Sequence, residues 1–323
     1  MKKLITGKRW KDQIGRRQKS DLRRRNRTKP GYSAPRAKEF FATIKVPSVF
    51  SIILNPDEMN TFFAKLRVYA KKSHVALDLT DVEQITNEAI ATLAATMSEL
   101  EDTTVKGNFP ADQTVKQALV DSGFFEHVRG PSSLQKGKVG KMKKHQSELV
   151  EATTARELIE VGTEQAFGKK GESTATRAAY TALIELMSNT HNHAKGKRAN
   201  LEMWWAAVYG DANRKRVCYS FLDTGVGIFR SVRMTLVRRL LLPLGIRTDP
   251  ELLCEILQGN VASSTALPYR GKGLPTIYKK SESGDLKSLF IIANDVFADV
   301  TKGVYRSLEV PFKGTLLYWE CEE

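Results

Sequence analysis

The apolar residues of the N-terminal half follow two alternating patterns. Short apolar runs are typical of buried strands, whereas apolar residues that recur every three or four positions predict a helix. The predicted strands are residues 44–54, 75–79 and 104–106. Three helices are predicted. The first begins at Asn55, and the other two cover residues 85–100 and 112–122. The residue types at Asn55, Pro56 and Glu58 are those that cap and open a helix. Together, residues 40–128 predict a small layered α/β domain.

The C-terminal half places its first helices before its strands. Helices are predicted at about residues 147–167 and 173–194 and after Lys272. Strands are predicted near residues 200–208, 216–222, 289–293, 305–310 and 315–320. We therefore expect a second domain at residues 148–323. Residues 129–147 are rich in Gly, Pro, Ser and Lys and are interpreted as a linker between the two domains.

The positive charge of the chain is concentrated at its N-terminus. The 323 residues carry a formal net charge of +15, of which +13 falls within residues 1–38. This segment is poor in apolar residues, so we expect a disordered basic arm. Such an arm attracts polyanions, and nucleic acid or an acidic protein is its candidate partner. The alternative is a solvated tail that contacts nothing.

The composition argues against several classes of protein. With 41% apolar and 27% charged residues, the chain can bury a core, and no apolar run approaches the roughly 18 residues of a membrane span. The N-terminus lacks the apolar segment of a secretory signal. The three cysteines Cys218, Cys254 and Cys321 include no CxxC pair. We therefore expect a cytoplasmic protein without a disulfide framework, a thiolate zinc site or a membrane partner.

One predicted helix of the C-terminal half carries candidate catalytic groups. Glu185, Asn189 and His193 recur every four residues and therefore share one line on the helix. An amide oxygen suits Mg²⁺, and a carboxylate one turn earlier can orient or deprotonate a water. A solvated polar face is the alternative. The opposite face is predicted to be buried through Ala179, Leu183, Leu186, Met187 and Thr190.

Three further motifs border predicted strands and helices. The DTGVG turn at residues 223–227 follows an apolar strand, and its carboxylate can accept a hydrogen bond from an exocyclic amine such as that of adenine. Residues 270–274, RGKGL, open a helix whose N–H groups and lysine form a candidate anion site. Residues 314–315, Gly-Thr, lead the last strand. Each motif alone is also compatible with an ordinary turn.

Together, the four motifs resemble the nucleotide-binding domain of the GHKL superfamily, which includes DNA gyrase, the heat-shock chaperone ATPases and the histidine kinases. The resemblance covers about residues 148–323 and implies a GHKL-type α/β sandwich, with a mixed sheet and helices on one face, that binds ATP and Mg²⁺. It implies that Asn189 binds the metal and that Glu185 activates the attacking water. It further implies that the nucleotide is bound by Asp223, Gly225, Gly227, Gly271, Gly273, Leu274 and Thr315. Lys272 adds a positive charge to the same candidate site. By this resemblance, Asp223 accepts a hydrogen bond from the adenine amine, and Thr315 lies on the adenine side of the site.

The same resemblance implies a lid over the nucleotide at about residues 229–270, within which residues 251–257 are expected to form a helix. Such lids often close only when nucleotide is bound. Two positions depart from the family pattern. Asn192 stands where histidine kinases commonly carry a lysine that meets the phosphates, and Pro275 replaces the usual glycine after Leu274. Candidates for the missing charge are Lys195, Lys197 and Lys272.

Residues 44–128 resemble a STAS domain, the fold of the anti-sigma-factor antagonists. The resemblance rests on residues 78–89, DLTDVEQITNEA, whose family counterpart carries a phosphorylatable serine before the second helix. Here Thr86, Asn87 and Glu88 occupy that turn. We interpret Glu88 as a solvated acid that favours the start of the helix. The alternative is a carboxylate that mimics a phosphorylated residue.

The motifs lead to one function and leave two alternatives open. We expect a cytosolic ATPase switch, whose lid closure repositions the STAS-like domain and the basic arm for a protein partner. The alternatives are a Ser/Thr kinase that acts on a STAS-type protein, and a non-catalytic scaffold. Two-component autophosphorylation is not expected, because His145 lies in a Lys-rich segment without an apolar heptad. GHKL proteins often form homodimers, although no periodic seam here requires one.

Overall fold

The computed structural model describes residues 41–100, 103–128, 140–145, 150–170, 173–193, 204–229, 248–260 and 273–323. These residues form a mixed α/β protein, and the basic arm lies outside them. The strands are β1 (Phe41–Lys45), β2 (Val49–Phe50), β3 (His74–Asp78), β4 (Gln84–Ile85), β5 (Val105–Gly107), β6 (Gly140–His145), β7 (Trp204–Asp211), β8 (Arg216–Asp223), β9 (Lys287–Asp299) and β10 (Val304–Glu322). The helices are α1 (Pro56–Ala70), α2 (Asn87–Glu99), α3 (Gln113–Asp121), α4 (Ala152–Phe167), α5 (Thr174–His193), α6 (Asp249–Gln258) and α7 (Gly273–Glu282).

The N-terminal unit, residues 41–128, is built on parallel strands. β1, β3 and β5 form a sheet in that order, and β2 pairs with β4 in a separate two-stranded sheet. The three predicted helices and the two later strands are confirmed within two residues. The predicted strand at residues 44–54 is wrong, because the chain forms β1 and β2 with Pro47 between them. Proline lacks the N–H donor that a continuous strand needs at this position.

The ends of the N-terminal helices follow from local chemistry. The Asp112 carboxylate accepts a hydrogen bond from the Val115 N–H at 2.9 Å and caps α3, and Gly123 follows the helix with φ +83°. Pro56 begins α1 as predicted, but the Asn55 side chain does not cap that helix. Its amide instead donates to the Glu58 carboxylate at 2.5 Å. The cap expected at Asn55 is therefore absent, although the start of the helix is where the sequence placed it.

The C-terminal unit contains one five-stranded sheet with the order β6-β7-β8-β10-β9. Every described pairing in it is antiparallel, so the predicted mixed sheet is wrong. β6 lies within the segment that we interpreted as a linker, and it pairs with β7 along its whole length. Met142 of β6 is buried, whereas Lys141 and Lys143 pair with Glu157 of α4. The alternation of a buried residue between lysines is that of an edge strand.

Helices α4–α7 cover one face of this sheet. Their apolar residues form a single cluster with Trp204, Phe221 and Leu317 on the strands. Gly162 of α4 allows the helix to approach closely, because a Cβ atom there would lie 2.4 Å from Val217 Cγ1. Of the helices that the structure describes, none is both long enough and apolar enough to cross a membrane.

The other face of the sheet is covered by the N-terminal unit. Helix α2 packs against β7 and β8, and α1 packs against β10. Every residue of α2 from Glu88 to Thr96 is buried, since the helix lies between the N-terminal strands and the C-terminal sheet. As predicted, the helices of the C-terminal unit lie on one face of its sheet. The spacing of the apolar residues in α2 predicted a helix with one buried face, and this is wrong, because the two units share one hydrophobic core.

Three polar contacts border this shared core. Asp57 of α1 forms an ion pair with Arg306 of β10 at 2.8 Å. The Asn60 amide donates to the Val310 carbonyl at 3.2 Å. Glu99 at the end of α2 pairs with Lys313 at 2.9 Å. All three contacts reach β10, which is also the strand that carries Thr315.

Candidate functional site

Helix α5 brings Glu185 and Asn189 to the surface of the C-terminal core. The predicted buried face is confirmed, since Ala179, Leu183, Leu186, Met187 and Thr190 are all buried. Glu185 and Asn189 lie one turn apart and are half-buried. The side chain of His193 lies outside the described residues. The helix therefore presents one carboxylate and one amide along the same line.

The first residue of α7 lies directly against these two side chains. A Cβ atom on Gly273 would be 3.0 Å from Glu185 Oε2 and 3.0 Å from Asn189 Nδ2. Only a glycine lets the backbone approach so closely without moving a neighbour. Leu274 packs against the core and fixes the start of the helix. Two motifs that are far apart in sequence therefore meet at one point, whereas Gly271 and Lys272 lie outside the described residues.

Asp223 lies at the end of β8 and is held by the turn that follows it. Its Oδ1 accepts a hydrogen bond from the Gly225 N–H at 2.6 Å. In the register of the sheet, Asp223 lies opposite Trp204 of β7 and opposite Thr315 of β10. The DxGxG turn and the Gly-Thr strand, which were separate motifs in the sequence, thus adjoin each other.

The close contact between these two motifs depends on Gly314. Its φ is +96°, and a Cβ atom there would lie 2.0 Å from the carbonyl oxygen of Asp223. No other residue fits this position without moving the backbone of β8. A lone Gly-Thr pair carries little information in a sequence, but here it sets the distance between β10 and Asp223.

The sequence motifs did not predict the role of Asn294 in β9. This residue is buried, and its side chain contacts the glycine turn at both ends. Its Oδ1 accepts from the Phe229 N–H at 2.9 Å, and its Nδ2 donates to the Val226 carbonyl at 2.9 Å. An asparagine inside an apolar strand is unusual, and that was the available signal.

Only part of the predicted lid lies within the described residues. The expected helix at residues 251–257 is confirmed as part of α6. Thr248 caps it, since its hydroxyl accepts from the Glu251 N–H while the Glu251 carboxylate accepts from the Thr248 N–H. Lys195 and Lys197, the other candidates for the phosphate charge, lie outside the described residues.

The interpretation of Glu88 as a solvated acid is wrong. Its side chain is completely buried, and its carboxylate accepts from the Ser51 hydroxyl at 3.0 Å and from the Thr86 hydroxyl. Burial raises the pKa of this carboxyl above its usual value. Glu88 is therefore part of the core and not a group that a partner could reach at the surface.

The thiols of the C-terminal unit are not suited to nucleophilic chemistry. Burial raises the pKa of Cys218 to about 11 and also raises the pKa of Cys254 and Cys321. A thiol with a raised pKa has little thiolate at neutral pH. The chemistry of the site therefore depends on the carboxylates, amides and backbone N–H groups described above.

Comparison with known proteins adds no family to this geometry. Neither a scan against models of protein families nor a search among curated proteins finds a match for the chain. The functional interpretation consequently rests on the residues and on how the fold arranges them.

Proposed function

We propose that residues 148–323 bind ATP together with Mg²⁺ in the manner of a GHKL domain, and that the protein hydrolyses the nucleotide to reset a switch. The observation that carries the proposal is the contact of Gly273 with Glu185 and Asn189. It joins a helix start, which suits phosphate, to an amide and a carboxylate. The adjacency of Asp223 and Thr315 supplies the second support.

Asp223 and Thr315 would hold the base. A carboxylate that ends a strand accepts a hydrogen bond from an exocyclic amine, and Asp223 is oriented for this by the Gly225 N–H. The resemblance assigns Gly225 and Gly227 to the pocket of the base, and Thr315 lies beside Asp223 on the neighbouring strand. The resemblance assigns the phosphates to Gly271, Gly273 and Leu274, and Lys272 is a candidate for the positive charge beside them.

Glu185 and Asn189 would perform the reaction. The donor set fits Mg²⁺, because Asn189 offers an amide oxygen beside the Glu185 carboxylate and a helix start that suits phosphate. When bound, the ion supplies charge neutralisation for the phosphate oxygens. Glu185 orients the attacking water and takes a proton from it at the carboxylate.

The fold supports a connection between the nucleotide and the N-terminal unit. Lys313, two residues before Thr315, pairs with Glu99 of α2. A movement of β10 at the nucleotide would therefore reach the shared core directly. We propose that the STAS-like unit and the basic arm transmit this state to a protein or nucleic-acid partner.

The test uses the full chain, Mg²⁺ and ATP labelled at the γ-phosphate. We expect Glu185→Gln to lower phosphate release by about 100-fold or more, while ATP affinity stays within about threefold. The matched control is Glu160→Gln, an exposed carboxylate of α4, which should change neither quantity. Transfer of label to a protein would favour the kinase alternative. Absence of ATP binding by the unchanged chain would refute the proposal and leave the scaffold.

A further inference from the structure

Asn294 connects the β9 strand to the glycine turn through both ends of its amide. It is 3% exposed, and its two side-chain hydrogen bonds reach Val226 within the turn and Phe229, two residues after the turn. Buried amides that bond at both ends fix the orientation of what they hold, since breaking either bond leaves a buried polar group unpaired. The turn is therefore held from outside its own sequence.

The backbone at Asn294 is shaped for this task. Its φ is +53°, in the left-handed region that asparagine tolerates better than most residues. The register between β9 and β10 is also irregular at this residue. Asn294 lies opposite Phe312, whereas its neighbour Ala293 lies opposite Thr315. A left-handed residue inside a strand directs the side chain away from the regular alternation and towards the turn.

Gly227 and Asn294 fit against each other closely. Gly227 has φ +80°, and a Cβ atom on it would lie 2.5 Å from Asn294 Oδ1. The glycine therefore leaves room for the asparagine, not only for a ligand. The same turn donates the Gly225 N–H to Asp223 Oδ1. A continuous series of contacts thus runs from Asn294 through the turn to the Asp223 carboxylate.

We propose that Asn294 is a positioning residue that sets the preference of the site for adenine over guanine. The inference rests on the proposed function, in which Asp223 accepts from the adenine amine. Guanine carries a carbonyl oxygen where adenine carries that amine, so a fixed carboxylate attracts one base and repels the other. The preference depends on how firmly the carboxylate is oriented, and Asn294 holds the turn that orients it.

The experiment compares ATP and GTP affinity in three full-length variants by calorimetry. Asn294→Gly removes both side-chain bonds while it accommodates the left-handed backbone. Asn294→Asp keeps the acceptor for the Phe229 N–H and the tolerance for this backbone. The matched control is Asn60→Ala, which removes another buried amide whose single bond reaches Val310. A thermal melt of each variant separates stability from selectivity.

We expect Asn294→Gly to reduce the ratio of GTP to ATP dissociation constants about tenfold or more, and Asn294→Asp to reduce it less. Asn60→Ala should lower the melting temperature but leave the ratio unchanged. If Asn294→Gly does not fold, the Asn294→Asp comparison decides. An unchanged ratio in the folded Asn294 variants would overturn this inference alone, because ATP binding would persist. Failure of the unchanged chain to bind ATP would overturn the proposed function as well.

Discussion

Gly314 shows how one residue without a side chain can define a site. Its left-handed backbone and its contact with the Asp223 carbonyl are two separate requirements, and both exclude a Cβ atom. The sequence marked the Gly-Thr pair only through its resemblance to a family. The physical reason becomes visible once β8 and β10 lie side by side.

The two requirements can be separated by comparing Gly314→Ala with Gly284→Ala. Gly284 has φ +79° but no atom within 4 Å of a Cβ, so its alanine variant should lose only the left-handed preference, about 1 kcal/mol. Gly314→Ala adds a clash with backbone, and we expect a loss of about 3 kcal/mol. Urea unfolding measures both values. Equal losses would show that the contact with Asp223 is relaxed at little cost.

Glu88 should make stability depend on pH in a defined direction. Burial raises the pKa of its carboxyl in the folded chain above the usual 4.5, so the folded state keeps a proton that the unfolded state releases. The stability that protonated Glu88 contributes is fully present below pH 4.5 and is lost as the pH rises through the folded-state pKa.

The variant Glu88→Gln resembles the protonated side chain and cannot titrate. We expect wild type and Glu88→Gln to be similarly stable near pH 4, and the variant to become the more stable of the two as the pH rises to 8. Urea unfolding across this range, as a difference between the two proteins, isolates Glu88 from all other carboxyls. A difference that does not change with pH would contradict the assignment.

Strand β6 is the element that the sequence concealed most completely. Its composition, dominated by lysine, indicated a linker, and only Met142 between two lysines reflects the alternation of an edge strand. Helices with strong local signals were predictable, as the Asp112 cap of α3 and the polar line of α5 show. Elements that pack against residues distant in sequence were not predictable. A pattern of apolar residues shows which positions are buried, but not which part of the chain buries them.

Shortening the Met142 side chain tests whether β6 contributes to the stability of the fold. Met142→Ala should cost about 2–4 kcal/mol, because the side chain is 2% exposed in the shared core. The control is Val150→Ala, a nearby apolar residue that is 37% exposed and should cost less than about 0.5 kcal/mol. Urea unfolding gives both values. A linker would tolerate both changes equally.

The same limit explains the errors at α2. The alanine-rich and threonine-rich sequence predicted a helix correctly, but its second buried face is provided by a sheet formed far along the chain. In the candidate site, the sequence predicted roles for Glu185, Asn189, Asp223 and Thr315, and the fold brings the first two together and the last two together. It missed Asn294, because the bonds that distinguish this residue are formed with a turn outside its own strand.

At the scale of the whole molecule, the shared core predicts that the two units unfold together. Three of the four tryptophans, Trp204, Trp205 and Trp319, lie in the C-terminal sheet, whereas Ile90 is a buried residue of α2. Ile90→Ala should cost about 2–5 kcal/mol. We expect it to lower the unfolding midpoint measured by tryptophan fluorescence as much as the midpoint measured by circular dichroism. An unchanged fluorescence midpoint would show that the units are independent.

Calorimetry with a non-hydrolysable ATP analogue and Mg²⁺ tests most directly the proposal that Asp223 binds an adenine nucleotide. We predict one site per chain and a loss of affinity of about tenfold or more in Asp223→Asn. The amide keeps one oxygen for the Gly225 N–H, so the turn is preserved while the carboxylate is removed. Equal binding by both proteins, or no binding by either, would contradict the account.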